Sequence, residues 1–236
     1  MLAAIRATRT AMSTEGLYRL LAWASPVFPT GAFSYSHGLE AAAEDGSVHD
    51  RATLQAWIAA VVRRGSGRID ADILRDAWRA ATAGDEAMLA EANRRGRAYR
   101  ATAELALESG QQGAAFLAAY GATWTDPHPN PPPLAGEGAC HAAVFGAAAW
   151  RAGVALDDAL TAYLHAFAAN LMSAGLRLGI VGQTDGQRIL SALEPVVSAA
   201  VAASLARDVP DFGSATFAAD LASVMHETQY SRLFRS

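Results

Sequence analysis

Apolar residues in this 236-residue sequence recur with the period of an α-helix rather than that of a β-strand. Leu54, Trp57, Ile58 and Val61 stand at i, i+3, i+4 and i+7, the spacing of one buried helical face, and Asp50 precedes them as a plausible N-cap. The spacing returns further along the chain, and no segment alternates apolar and polar residues long enough to predict a strand. The sequence therefore predicts an all-α fold, a single-domain helical bundle of roughly eight to ten helices.

Two details of the later helices can be predicted from single residues. Phe217, Leu221, Val224 and Met225 complete the pattern with a last amphipathic helix. Pro195 lies inside an apolar run and predicts a kink or a helix start nearby.

Composition favours helices and excludes several classes of enzyme. Alanine, a strong helix former, supplies 56 residues. All 19 basic residues are arginine, and without lysine the chain can build neither a P-loop nor a pyridoxal Schiff base. The single cysteine, Cys140, excludes CxxC redox pairs, cysteine-rich zinc sites and iron–sulfur clusters. It fits a reducing compartment, and a cytoplasmic location is expected.

Net charge and hydropathy argue against two kinds of partner. The formal net charge is −4 without a basic block, whereas binding nucleic acid requires a concentrated positive surface. No stretch of the sequence approaches the ~20 consecutive apolar residues of a membrane span. We therefore expect neither a nucleic acid nor a membrane as partner.

Three segments depart from the helical pattern. Residues 25–36 contain two prolines, a glycine and three aromatic residues, which predicts a loop whose aromatic side chains are packed. Residues 126–138 hold five of the nine prolines and predict a flexible Pro/Gly-rich inserted loop. Residues 1–14 are expected to be a disordered N-terminus, and Met12 is an alternative start.

The histidines offer no recognisable catalytic arrangement. After His226 and Glu227, the second histidine that a zinc protease needs is replaced by Tyr230. We expect His226 to interact with the terminal carbonyl groups of a helix, and single out His37 because it ends the aromatic loop. The sequence predicts no catalytic residue, no metal site and no cofactor.

A polar segment at residues 177–188 is more specific than a generic loop. It places Arg177, Gln183, Asp185 and Gln187 beside three glycines. One interpretation is a helix that ends at a glycine, followed by a tight turn and a second helix capped by Asp185. The other is a binding segment.

Residues 228–236, the C-terminal tail, are unusual for a terminus. Terminal residues are normally polar, whereas the tail contains Tyr230, Leu233 and Phe234 with Arg232 and Arg235. Aromatic residues and arginine are enriched in protein interfaces. The tail either docks on a partner or folds back onto its own domain.

Four stretches resemble the UreF family of urease accessory proteins. They are residues 20–40 (LLAWASPVFPTGAFSYSHGLE), 141–146 (HAAVFG), 174–190 (AGLRLGIVGQTDGQRIL) and 226–236 (HETQYSRLFRS). The similarity extends over nearly the whole chain from residue 17 onward. The insertion at 126–138 departs from the family, and so does Ala101, where many members carry an acidic residue.

The resemblance implies an all-α protein that forms a homodimer and performs no chemistry itself. It implies partnership with UreD and the GTPase UreG, in a complex that docks on apo-urease and supports nickel insertion. Candidate partner-binding residues are Phe33, Tyr35, His37, Glu40, Tyr230, Arg232, Leu233, Phe234, Arg235 and Ser236. Candidates facing the dimer or the GTPase are Arg100, Arg177, Gln183, Asp185 and Gln187.

Two other functions stay open from the sequence. The chain could activate GTP hydrolysis by UreG with an arginine supplied in trans, for which Arg177 and Arg100 are the candidates. It could also be an all-α metal-dependent hydrolase, which would need ligands that converge around His226 or His37.

Overall fold

The computed structural model describes residues 12–124, 138–208 and 211–236, which form ten α-helices, one 3₁₀ turn and no strand. The elements are α1 Thr14–Trp23, the 3₁₀ turn Ala32–Ser34, α2 Leu39–Glu44, α3 Arg51–Arg64, α4 Ser66–Ala83, α5 Glu86–Ala98, α6 Ala103–Thr123, α7 His141–Arg151, α8 Leu156–Arg177, α9 Gln183–Ala206 and α10 Phe217–His226. The predicted all-α fold is confirmed. Nearly all of the predicted insertion at 126–138, and most of the predicted disordered segment 1–14, lie outside the described residues.

Side-chain caps set where several helices begin. Asp50 accepts a hydrogen bond from the backbone N–H of Thr53 at 2.8 Å, and the Thr53 hydroxyl accepts the N–H of Asp50 at 3.0 Å. This capping box confirms Asp50 as the N-cap of α3. Ser13 caps α1 through the N–H of Gly16, so the first helix begins at Thr14, inside the segment that was expected to be disordered.

The most extensive contact between two of the described helices is that between α4 and α7. Helix α7 consists mainly of alanine and glycine, and most of its residues are buried. Gly146 packs directly against the backbone carbonyl of Leu74 on α4. The small residues of α7 therefore allow the two helix backbones to approach closely.

A buried ion-pair network connects α4 to the end of α9. Asp72 and Arg75 are almost fully buried on α4. Arg75 donates to the carbonyl oxygens of Ser204 and Arg207, and Arg207 donates to Asp72 at 2.7 Å. These bonds satisfy carbonyl groups that the end of α9 leaves without helical partners.

The connection between α8 and α9 agrees in part with the first interpretation of residues 177–188, in which a helix ends at a glycine and a turn leads to a second helix. Gly179 has a φ of 74° just after α8, which is the glycine-dependent helix end that the sequence predicted. Asp185 does not cap α9, because its carboxylate lies in the first turn and pairs with Arg188 at 3.0 Å and with Arg51 at 3.7 Å. No helix start occurs near Pro195, which lies inside a continuous α9.

Helix α9 is more apolar than we expected from the sequence. Among the described residues it is one helix whose length and composition would allow it to cross a membrane. Only 33% of its apolar stretch is buried in this structure, and a single such helix is weak evidence for a membrane span.

Candidate partner-docking site

Residues 25–36, the aromatic loop, lead into α2 through a sharp turn at His37 and Gly38. His37 and Gly38, which follow the loop, both have positive φ, 60° and 76°. A side chain at Gly38 would meet the backbone nitrogen of Ser223 at 2.8 Å. Glycine at this position therefore lets the start of α2 lie directly against α10.

The C-terminal tail folds back onto this loop. The backbone N–H of His37 donates to the carbonyl oxygen of Ser236 at 3.0 Å, and the N–H of Arg235 donates to that of Ser34 at 2.8 Å. Phe234 is only 4% exposed, and Ser236 is fully buried. The tail of the free chain thus packs on its own domain, as one of the two interpretations expected.

Glu40 binds the backbone of the tail. Its carboxylate accepts the backbone N–H groups of Leu233 at 2.6 Å and Phe234 at 2.9 Å. Glu40 is buried on α2. Its carboxylate is therefore occupied by the tail and by His226 of α10, and it is not available to a partner in this structure.

His226 lies in a different environment from the one predicted. Its ring is fully buried, with Nδ1 2.7 Å from a Glu104 oxygen and Nε2 3.1 Å from a Glu40 oxygen. The expectation of bonds to terminal carbonyl groups is wrong, because α2 and α6 supply carboxylates that are distant in sequence.

Tyr35 and His37 are also interior residues. The Tyr35 hydroxyl donates to Gln111, and His37 Nδ1 lies 2.9 Å from a Glu108 oxygen. Burial raises the pKa of Tyr35. Burial alone would raise the pKa of Glu108 as well, but His37 and the Ser236 hydroxyl hold that pKa below its usual value. These two candidates support the tail instead of forming an outer surface.

An arginine–aromatic cluster forms where the tail meets the loop. The Arg177 guanidinium stacks between the rings of Phe33 and Phe234, at 3.8 and 4.3 Å from their centroids. It also donates to the carbonyl oxygen of Phe33, and burial lowers the Arg177 pKa. Phe33 and Leu233 are 62% and 63% exposed beside it, and Arg235 lines the same depression.

The outer face of α10 is apolar and solvent-exposed. The sequence predicted an amphipathic helix, but the structure turns the polar side inward, burying Ser223 and His226. Val224 is 49% exposed, and Phe217 80%. The exposed apolar side chains of this face are Phe217, Leu221, Val224 and Met225. Of the tail candidates, Tyr230, Arg232, Leu233 and Arg235 are exposed.

Arg100 does not lie on a surface. Its side chain is 4% exposed and pairs with Asp70 at 2.7 Å, which raises the Arg100 pKa against the effect of burial. A cavity of about 270 Å³ adjoins this pair and is also lined by His141 and Tyr163. Burial lowers the pKa of His141 to about 4. Arg100 was predicted to face a dimer or a GTPase, and in this structure its guanidinium is buried against Asp70.

The remaining candidates lie at the start of α9. Gln183 and Gln187 are exposed, and Asp185 is half-buried in its ion pairs. These three side chains lie on the polar surface of the first turn of α9.

No group of three or more histidine, cysteine, aspartate or glutamate side chains in the described part of the chain could hold a metal ion. His226 and His37 are instead bonded to carboxylates. The convergent ligands that a metal-dependent hydrolase requires are not found around either histidine within those residues.

Sequence reasoning missed the supporting residues on α6. Glu104 and Glu108 are one turn apart and bond His226 and His37. Their spacing of four places them on one helical face, and this shared face could have been predicted from the sequence. Nothing local indicated that this face meets residues more than 60 positions away.

Comparison with known proteins gives consistent matches. A model of the UreF family matches residues 48–194. The chain is 47% identical over 226 residues to the urease accessory protein UreF of Granulibacter bethesdensis, covering 93% of this chain and 94% of that protein. It is 45% identical to the protein of the same name from Rhodopseudomonas palustris, with 96% of each chain covered. A Brucella ovis relative, also named urease accessory protein UreF, is 44% identical over 94% of this chain and 95% of its own.

Proposed function

The chain belongs to the UreF family, and on that premise we propose that it is a urease accessory protein that joins UreD and the GTPase UreG. The resulting complex docks on apo-urease and supports insertion of nickel. The chain acts in the cytoplasm as an assembly chaperone and performs no chemistry of its own.

The exposed apolar face of α10 is the observation that carries this proposal. Phe217, Leu221, Val224 and Met225 project from one side of a helix whose other side is bonded into the core. Large exposed apolar patches mark interaction sites, because leaving them in water forgoes about 25 cal/mol per Å² of burial. We assign this face, with Tyr230 of the tail, to UreD.

The arginine–aromatic cluster is a second, chemically different surface. Phe33 and Leu233 are exposed around Arg177, and Arg235 adds a second guanidinium. Arginine and aromatic residues are the types that supply most of the energy in interfaces. We assign this cluster to UreG.

A scaffold role explains the arginines better than activation of GTP hydrolysis. An arginine finger must reach the nucleotide of the GTPase. Arg100 is buried against Asp70, and Arg177 is fixed between two rings. Both guanidinium groups are therefore held by residues of this chain, and reaching a nucleotide would require them to leave these contacts.

The experiment is a binding measurement with purified UreD. The variant Leu221→Glu/Val224→Glu places two charges on the α10 face, and Met88→Glu, at an exposed apolar position on α5, is the control. Losing the burial of two side chains worth about 1.5–3 kcal/mol each should weaken binding about a hundredfold or more. The helical melt should not change. Equal UreD affinity for the wild type and the double variant would refute the assignment of this face.

A further inference from the structure

The buried histidine at the end of α10 is bonded to a carboxylate at each ring nitrogen. Nδ1 lies 2.7 Å from Glu104, and Nε2 lies 3.1 Å from Glu40. A carboxylate only accepts hydrogen bonds, and a neutral imidazole donates only one. A neutral ring between two ionised carboxylates can therefore form only one of these two hydrogen bonds. Both form when the bridge made by Glu40, His226 and Glu104 holds one additional proton.

The same two carboxylates hold the C-terminal tail. Glu40 accepts the amides of Leu233 and Phe234, and Glu104 accepts Arg232 at 2.7 Å. Without the additional proton, two buried carboxylates would face each other across a neutral ring, with Arg232 as their cation. Burying charge without compensation is costly, and release of the tail would open Glu40 and Glu104 to water.

In the described part of the chain, three elements supply the charged groups bonded to the ring or to its two carboxylates. Glu40 comes from α2, Glu104 from α6 and Arg232 from the tail. On α10 itself, Asp220 bonds Thr216 and Glu227 is exposed just after the helix.

We propose that Glu40, His226 and Glu104 form a latch that holds the C-terminal tail in place, and that a proton closes the latch. His226 is a positioning residue in this arrangement, because it acts on the docking surface only through the tail. The consequence for partner recruitment rests on the proposed function, since the tail carries Leu233 and Arg235 of the arginine–aromatic cluster.

Hydrogen exchange of the full-length chain alone tests the latch. The opening constant of the tail amides, corrected for the pH dependence of intrinsic exchange, is measured by mass spectrometry between about pH 6 and about pH 8.5. An open tail withdraws the Leu233 and Phe234 amides from Glu40 and Arg232 from Glu104, so water reaches the two carboxylates and the bridge no longer retains the additional proton. Release of one proton on opening predicts that the constant rises with pH across this range, by up to about tenfold per pH unit. A constant independent of pH would overturn the proposal.

Glu104→Gln separates the latch from ordinary packing. The glutamine amide can donate to Nδ1, so a neutral ring can satisfy both neighbours and the additional proton is not needed. We expect its tail to stay closed across the range, with an opening constant independent of pH. His49→Asn, at an exposed histidine outside the latch, should keep the wild-type profile.

A second variant covers the case in which Glu104→Gln does not melt cooperatively. His226→Asn removes the imidazole that bridges the two carboxylates, and its opening constant should be high and independent of pH. A wild-type pH profile in either folded variant would overturn the latch. None of these measurements uses a partner, so a failure of UreD binding and a failure of the latch give separate results.

Discussion

At the scale of single residues, Leu233 and Phe234 are neighbours in opposite environments. Phe234 is packed against Arg177, whereas Leu233 is 63% exposed. Both were predicted from the sequence as partner-binding residues because of their type. The sequence could not separate them, because the separation depends on where Glu40 and the aromatic loop fix the tail backbone.

The two residues should respond differently to alanine. Phe234→Ala removes a buried ring, so the free energy that keeps the tail closed should fall by about 2 kcal/mol in hydrogen exchange. Leu233→Ala should leave that free energy within about 0.5 kcal/mol of the wild type and weaken recruitment of UreG about tenfold. Equal tail opening in the two variants would contradict the packing described for Phe234.

At the scale of elements, the helices were predictable and the orientation of α10 was not. Apolar spacing and Asp50 were sufficient to predict α3, including its capping box. In α10 the apolar residues with this spacing lie on the exposed side. The opposite side is buried because Ser223 bonds Thr102 at 2.8 Å and His226 bonds two glutamates. Periodicity identifies an apolar face, but hydrogen-bond partners distant in sequence decide which face the fold buries.

The contact between α4 and α7 gives a prediction at the same scale. Gly146→Ala would push a methyl group into the Leu74 carbonyl, and the strain should lower the free energy of unfolding by about 1–3 kcal/mol. The matched change Gly121→Ala, on α6 with open space around it, should raise that free energy by about 0.5–1 kcal/mol. Denaturant unfolding measures both, and a neutral or stabilising effect at Gly146 would contradict the close helix contact.

At the scale of the whole molecule, the described residues expose more apolar surfaces than a single partner would cover. Helix α1 buries Leu20 and Trp23 but exposes Leu17, Tyr18 and Leu21. We propose this outer face of α1 as the homodimer surface, apart from the faces assigned to UreD and UreG. The all-α class followed from composition and periodicity, whereas the division of the surface among partners needed the exposure of individual side chains.

Sedimentation equilibrium checks the homodimer. The wild-type chain should sediment as a dimer, and Leu21→Glu should sediment as a monomer because the charge would be buried in the interface. Met88→Glu, exposed on α5, should remain a dimer. A monomeric wild type at every accessible concentration would contradict the dimer, and a dimeric Leu21→Glu would place its interface elsewhere.

The nickel content of urease tests the central claim most directly. Urease is produced with UreD and UreG in cells that lack this chain, in cells that contain it, and in cells that contain Leu221→Glu/Val224→Glu. Metal analysis and activity of the purified urease are then compared. We predict nickel-loaded, active urease only with the wild-type chain, and largely nickel-free enzyme in the other two cases. Urease that is equally loaded and active without this chain would contradict the account.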